Sequence, residues 1–176
     1  AKAKVEPLSY SENEILRLQT ESLNINEFHK LGFTGKGIRI AIFDAGFPHA
    51  ETTPALEHVF KNNRVISTND FIKNRSNVYK FNMHGTAVMS CVAGKYNGTL
   101  VGTAPDAEFL LARTEKEKTE PFSEEENWLA AAEWADKNGA QIINSSLAYT
   151  KKRYFTDEMN GRTSLVSRAA TMAASK

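Results

Sequence analysis

Ile40-Ala41-Ile42-Phe43-Asp44-Ala45-Gly46 is the stretch of sequence that decides the fold of this chain. Its four consecutive apolar residues predict a strand, at about residues 38–43, that is buried on both faces as in a parallel sheet. The run ends in a single carboxylate, Asp44, directly before a glycine turn. Open α/β sheets hold their ligands at the carboxyl ends of the strands. Asp44 is therefore the first candidate for a functional side chain.

Apolar runs and helical patterns alternate along the rest of the chain. Further strands are predicted at about 64–67, 108–113 and 141–146, and helices at about 26–31, 84–93, 123–139 and 163–176. A capping box of Ser11 and Glu14 predicts an earlier short helix. Strands that alternate with helices predict a mostly parallel sheet covered on both faces. The predicted fold class is therefore α/β, with a three-layer α/β/α arrangement. We also expect the strand at 141–146 and the side chain of Cys91 to be buried.

Charge and hydropathy exclude several classes of partner. The 22 basic and 21 acidic residues give a net charge of +1, so nothing favours nucleic acid or an anionic membrane. No segment approaches the roughly 20 apolar residues that span a bilayer. The N-terminus lacks the apolar core of a signal peptide, although a processed secreted chain would look the same. We expect neither nucleic acid nor a membrane as a partner.

A histidine follows Asp44 at a position that could bring the two together. His84-Gly85-Thr86 opens the predicted helix at 84–93. A buried carboxylate next to an imidazole fixes its tautomer, and the other ring nitrogen can then take a proton from a hydroxyl or a water. Alone, a strand-end Asp is more often a turn residue and a helix-start His is more often structural. Their combination in this sequence context predicts an acid–base pair.

These motifs resemble those of the subtilisin-like serine proteases, also called subtilases or peptidase S8. Residues 40–46 are similar to the catalytic-Asp motif of that family and residues 84–88 to its catalytic-His motif. Three more matches follow in the family order, at 102–107, 134–135 and 142–148. The resemblance implies that residues 35–176 are the N-terminal part of a subtilisin-like catalytic domain. Residues 1–34 would be its N-terminal helical segment.

The resemblance also assigns roles to residues. Asp44 would orient the imidazole and His84 would be the general acid and base. The backbone of Ser146, Leu147 and Ala148 would form one wall of a groove that binds a polypeptide substrate as an added β-strand. Ala148 stands where the family usually has Gly, so the wall carries an extra methyl group. Ser146 is not taken as the nucleophile, because this motif binds substrate in the family.

Two parts of the family's machinery have no counterpart in these 176 residues. The Gly-Thr-Ser-Met-Ala nucleophile motif is absent, and residues 170–174 only superficially resemble it. The oxyanion-stabilising Asn motif is absent as well. We therefore expect this chain alone to be inactive and to require a Ser-bearing C-terminal portion of the same protein as its partner. The resemblance further implies a secreted, periplasmic or cell-surface location.

The implied chemistry requires no cofactor. The loop 95–100 is short and has no acidic residue, so the calcium site that some relatives build there is not supported. Asp157 and Glu158 lie in another loop and leave a structural calcium site open.

Two other functional classes compete with the protease. The chain could belong to a non-catalytic, peptide-binding pseudoprotease or be a regulatory fragment. An aspartyl-phosphate site is disfavoured, because Asp44 has no second carboxylate near it in sequence to hold Mg²⁺.

Overall fold

The structure is a computed structural model that describes residues 9–96, 99–116, 120–149, 154–158 and 160–176. Its strands are β1 (Arg39–Asp44), β2 (Val65–Asp70), β3 (Lys95–Tyr96), β4 (Thr99–Leu100), β5 (Glu108–Arg113) and β6 (Ile142–Ser145). Its α-helices are α1 (Tyr10–Ser22), α2 (Ile25–Lys30), α3 (Glu57–Lys61), α4 (His84–Ala93), α5 (Ser123–Lys137) and α6 (Leu165–Ala174). Short 3₁₀ helices cover Pro54–Leu56 and Thr156–Glu158.

The main sheet is parallel and has the strand order β2-β5-β1-β6 in the described part of the chain. β3 and β4 form a separate antiparallel hairpin. Side chains of β1 alternate between two hydrophobic clusters, as the two-residue period of a strand requires. Ile40 and Ile42 face a cluster that contains Met89 of α4, whereas Ala41 and Phe43 face one built mainly on α5 and α6. Helices thus cover both faces of the sheet, and the predicted three-layer α/β/α fold is confirmed.

The register of the sheet aligns the carboxyl ends of β1, β5 and β6 at the same end of the sheet. Asp44, the last residue of β1, pairs with Arg113, the last residue of β5. On the other side Phe43 pairs with Ser145, the last residue of β6. The segments that follow these strands therefore leave the sheet together, at the edge where α4 also begins.

The sequence-based expectation of a buried strand at 141–146 is wrong. β6 has β1 as its single neighbour among the described residues, and Ile142 is 50% exposed. The apolar run predicted a strand with both faces buried. In the described residues, β6 is instead the last strand of the sheet and is paired along one edge only. Cys91 is also exposed rather than buried. It lies on the outer part of α4, whose buried residues are Gly85, Thr86, Met89 and Ala93.

Two local details also differ from expectation. The first helix is capped by Ser9 and Glu12, not by Ser11 and Glu14. Both pairs have the spacing of a capping box, and the earlier one is used. Between Gly46 and Met83 the sequence pattern predicts only the strand at about 64–67, and the structure contains α3 there as well. The division of the chain at residue 34 stays a prediction. In the described residues, no helix has both the length and the apolar character required to cross a bilayer.

Candidate active site

Asp44 is fully buried at the end of β1. Its Oδ1 accepts a hydrogen bond from the amide of Ala45 at 2.7 Å, and Thr114 donates its amide to the carbonyl oxygen of Asp44 at 3.0 Å. Burial raises the pKa of the Asp44 carboxyl, whereas the hydrogen bonds from Ala45 and His84 act in the opposite direction. These hydrogen bonds fix the position of Asp44, and the second carboxylate oxygen, Oδ2, contacts His84.

The structure brings His84 to this second oxygen. His84 is the first residue of α4, and its amide donates to Oδ1 of Asn82 at 2.8 Å, which fixes the start of the helix. Its Nδ1 lies 2.8 Å from Oδ2 of Asp44. The imidazole is 52% exposed although its partner is completely buried. A ring that donates Nδ1–H to a carboxylate keeps Nε2 as a proton acceptor, which is the arrangement of a general base.

Glycines allow the close approach that this hydrogen bond requires. A Cβ atom on Gly85 would overlap the carbonyl oxygen of Gly46 and would lie 2.9 Å from Cβ of Asp44. Gly46 itself has φ +146°, and a Cβ there would overlap the carbonyl oxygen of Lys80. Only glycine fits both positions without displacement of backbone. The first turn of α4 can therefore lie directly against the end of β1.

Thr86 fixes the same helix to the loop after β1. It is buried, and its Oγ1 donates to the carbonyl oxygen of Pro48 at 2.7 Å. Together with Gly85, this contact determines where α4 begins relative to Asp44.

Sequence reasoning missed a buried ion pair beside Asp44. Arg113 donates from Nη1 to both carboxylate oxygens of Asp70 at 3.2 Å, and Asp70 is fully buried. The Arg113 guanidinium carbon lies 3.5 Å from the centre of the Phe81 ring. Its Nε donates to the carbonyl oxygen of Ala45 at 3.0 Å. The available signal was that Asp70 and Arg113 end neighbouring strands of the sheet, but strand order is not visible in one sequence.

The segment predicted to form a groove wall lies at the same edge of the sheet. Ser146 continues the register of β6 beyond the Phe43–Ser145 pair, which brings it level with Asp44. Ser146 and Ala148 are exposed, and Leu147 is half-buried against the cluster on α5. The Oγ of Ser146 accepts from Nδ2 of Asn144 at 3.4 Å. The position is compatible with a groove wall, and the roles of all these residues stay predictions.

A half-buried carboxyl, that of Glu115, lies close to the Asp44–His84 pair and was not predicted either. Burial is the main cause that raises its pKa to about 7, and the charges of Glu124, Asp44 and Glu120 raise it further. The charge of His84 acts in the opposite direction. Glu115 is hard to recognise as a site residue in the sequence, because it stands at the start of a run of charged residues that continues with Lys116.

No metal centre is apparent in the described residues, which contain no group of three or more His, Cys, Asp or Glu side chains arranged to hold an ion. Glu158 lies in a 3₁₀ turn and its Oε2 accepts from the amide of Phe155 at 2.7 Å. Residues 97 and 98 of the loop 95–100 lie outside the described residues. The expectations about calcium at these two places stay untested.

Known proteins resemble this chain in sequence and in fold. The subtilase family model, peptidase S8, matches residues 35–175. The minor extracellular protease Vpr of Bacillus subtilis is 34% identical over 134 residues, which are 71% of this chain and 16% of that protein.

Solved structures agree at the level of the fold. MycP1 from Mycobacterium smegmatis has a TM-score of 0.62 at 22% identity, over 88% of this chain and 41% of that one. Fervidolysin from Fervidobacterium pennivorans, a keratinolytic enzyme related to subtilisin, has a TM-score of 0.57 at 19% identity, over 86% of this chain and 21% of that one. The chain spans less than half of each of these proteins. Because the family model covers most of its length, this chain belongs to the subtilase family of serine proteases, peptidase S8.

Proposed function

We propose that this chain supplies the Asp and His of a Ser-His-Asp triad in a serine endopeptidase that hydrolyses peptide bonds in proteins. The observation that carries the proposal is the 2.8 Å contact between Nδ1 of the exposed His84 and Oδ2 of the buried Asp44. This contact lies at the carboxyl ends of the strands of a parallel sheet, which is where open α/β folds bind their ligands. The nucleophilic Ser comes from a segment of the same protein outside these 176 residues.

The two side chains divide the proton transfer between them. Nδ1–H of His84 donates to Asp44, which leaves Nε2 to accept the proton of the Ser hydroxyl as that oxygen attacks the substrate carbonyl. The buried carboxylate stabilises the imidazolium that forms. His84 then gives the proton to the leaving amine, and water hydrolyses the acyl-enzyme by the same route in reverse. None of these steps requires a cofactor.

The substrate is an extended polypeptide that binds along Ser146, Leu147 and Ala148. The exposed residues Ser145 and Ser146 at the end of β6 support this role. Among the described residues β6 is paired along one edge only, and a free strand edge can accept a further strand. The methyl group of Ala148 narrows the groove on that side. The extracellular designation of Vpr supports a secreted, periplasmic or cell-surface location.

Labelling with a serine-directed fluorophosphonate tests the proposal on the full-length protein. We expect covalent labelling and hydrolysis of a denatured protein substrate, with both abolished by His84→Ala. His29→Ala is the control, since His29 contacts the carbonyl of Thr103 and lies outside the site. Labelling that survives His84→Ala would contradict the role of His84. A folded full-length protein that binds peptides and takes no label would instead be a non-catalytic pseudoprotease.

A further inference from the structure

The contact at the end of β5 determines where Glu115 lies. Thr114 directly follows β5 and donates its amide to the carbonyl oxygen of Asp44 at 3.0 Å. Glu115 therefore comes directly after the residue that is bonded to Asp44, whose Oδ2 contacts His84. The charges of Asp44 and His84 both act on the Glu115 carboxyl. Glu115 thus lies beside the Asp44–His84 pair.

Among the described residues, no ion pair joins the carboxyl group of Glu115 to a cationic side chain. It is half-buried, and within the described part of the chain its only interactions are burial and the charges of nearby groups, without a hydrogen bond. Three of those charges, on Asp44, Glu120 and Glu124, are negative, and His84 opposes them. The ionised form of a half-buried carboxyl group that lies near other negative charges is stabilised when a cation pairs with it.

We propose that Glu115 determines substrate specificity, by pairing with a lysine or arginine side chain of the polypeptide close to the scissile bond. This inference rests on the proposed protease function, which places the scissile bond at His84. An extended substrate projects its side chains alternately, so one of the residues near that bond can extend an ammonium or guanidinium group towards Glu115. A neutral side chain at that position would leave the carboxylate unpaired. Cleavage is therefore favoured next to a basic residue.

A positional set of peptide substrates tests this inference on the full-length protein. Each position from four residues before to two residues after the scissile bond carries Lys in one peptide and norleucine in its pair. Norleucine has nearly the shape of lysine without the amine. We expect one position at which kcat/KM is about fivefold or more higher for Lys, the effect of one ion pair of about 1 kcal/mol. Equal cleavage of both members of every pair would overturn the inference and leave the protease function intact. Absence of all cleavage would instead contradict the proposed function.

Two substitutions of Glu115 make the test specific. Glu115→Gln keeps the shape of the side chain, and we expect it to remove the difference in kcat/KM between the Lys peptide and its norleucine pair. Glu126→Gln removes the same charge from an exposed position on α5 and should keep the preference. Glu115→Lys should invert the preference towards Glu at the same substrate position. A Lys preference that Glu115→Gln retains would overturn the assignment to this residue.

The pH dependence gives an independent readout. With its pKa near 7, Glu115 loses its charge as pH falls through about 7, so the Lys/norleucine ratio should fall in the same range. Asp44, His84, Glu120, Glu124 and Tyr149 are the titratable groups that interact electrostatically with Glu115. They are common to the cleavage of both peptides, so the Lys/norleucine ratio cancels their direct effect on the rate. In Glu115→Gln the ratio should be flat, and a pH-dependent ratio in that variant would contradict the proposal.

Discussion

Arg113 donates from Nε to the carbonyl oxygen of Ala45 at 3.0 Å, so the last side chain of β5 holds the residue directly after Asp44. The guanidinium is buried between Asp70 and the ring of Phe81. Phe81 in turn forms a bridge with Gly46, the next residue of the same turn. The turn that follows Asp44 is therefore fixed by the end of β5 and by the segment just before α4.

Replacement of Arg113 by Met should destabilise the protein strongly. The substitution keeps most of the side-chain volume but leaves the fully buried carboxylate of Asp70 without its buried cation. Loss of one partner from a buried pair costs about 3–5 kcal/mol. We expect the low end, roughly 3 kcal/mol, because the amides of Ile72 and Lys73 still donate to Asp70. Chemical denaturation measures the change.

The control for that prediction is Arg168→Met, at an exposed position on α6. It should change the free energy of unfolding by less than about 0.5 kcal/mol. Equal effects of the two substitutions would contradict a special role for the Arg113–Asp70 pair.

Gly85→Ala should impair activity and stability together. The added methyl would overlap the carbonyl oxygen of Gly46 and would lie 2.9 Å from Cβ of Asp44, so α4 must move away from β1. Overpacking of this kind costs about 1–3 kcal/mol, and even a shift of about 1 Å between catalytic groups can cost about 100-fold in rate. Denaturation and kcat measurements on the full-length protein test both effects.

A suitable comparison is Gly37→Ala, where a Cβ atom has open space and φ is +83°. That change adds backbone strain of about 1 kcal/mol and no steric overlap, and it lies away from the candidate site. We expect its kcat to be normal. A Gly85→Ala variant with full kcat would show that the close approach is unnecessary.

The sequence predicted those parts of the structure that depend on local pattern. The apolar run before Asp44 predicted β1 within one residue, and the helix from His84 to Ala93 was predicted with the same ends. Asp44 and His84 were named as a pair because their surroundings matched a known order of motifs. Their contact at 2.8 Å agrees with that pairing, while their catalytic roles stay a prediction.

The features that sequence reasoning missed depend on which strands are neighbours. Asp70 and Arg113 are 43 residues apart, and their pairing follows from β2 lying next to β5. Glu115 became a candidate only when β5 was known to lie beside β1. The exposure of Ile142 has the same origin, since an apolar run does not reveal how many neighbours its strand has.

His58 should make stability fall on mild acidification. Burial lowers the pKa of its imidazole, and Nδ1 is buried without a hydrogen-bond partner in the described residues, while Nε2 donates to the carbonyl of Pro105. Because the folded pKa lies below the unfolded value of about 6.5, the unfolded state binds more protons in acid. The loss of stability that His58 causes is absent well above pH 6.5, and it grows as the pH falls below 6.5.

Denaturation at several pH values tests this prediction. His58→Gln should reduce the loss of stability between pH 7 and pH 5, since glutamine can still donate to Pro105 but does not titrate. His29→Gln is the matched change at a histidine that also contacts a backbone carbonyl. If His58→Gln leaves the slope unchanged, His58 does not carry this part of the acid sensitivity.

The two edges of the sheet predict different tendencies to associate when the 176-residue chain is produced alone. Among the described residues β6 has a neighbour on one edge only, and its Ile142 is half-exposed, so its open edge is a template for contact with another copy. β2, at the opposite edge, has the 42% exposed Ile66 at a register shift between Val65 and Ser67, and such irregularities disfavour edge pairing. We expect Ile142→Lys to lower light scattering of the concentrated chain markedly, because a charge on a flat edge blocks strand addition. Ile66→Lys, of similar exposure and identical chemistry, should have a much smaller effect. Equal effects would mean that exposed apolar area alone, and not the open edge of β6, determines association.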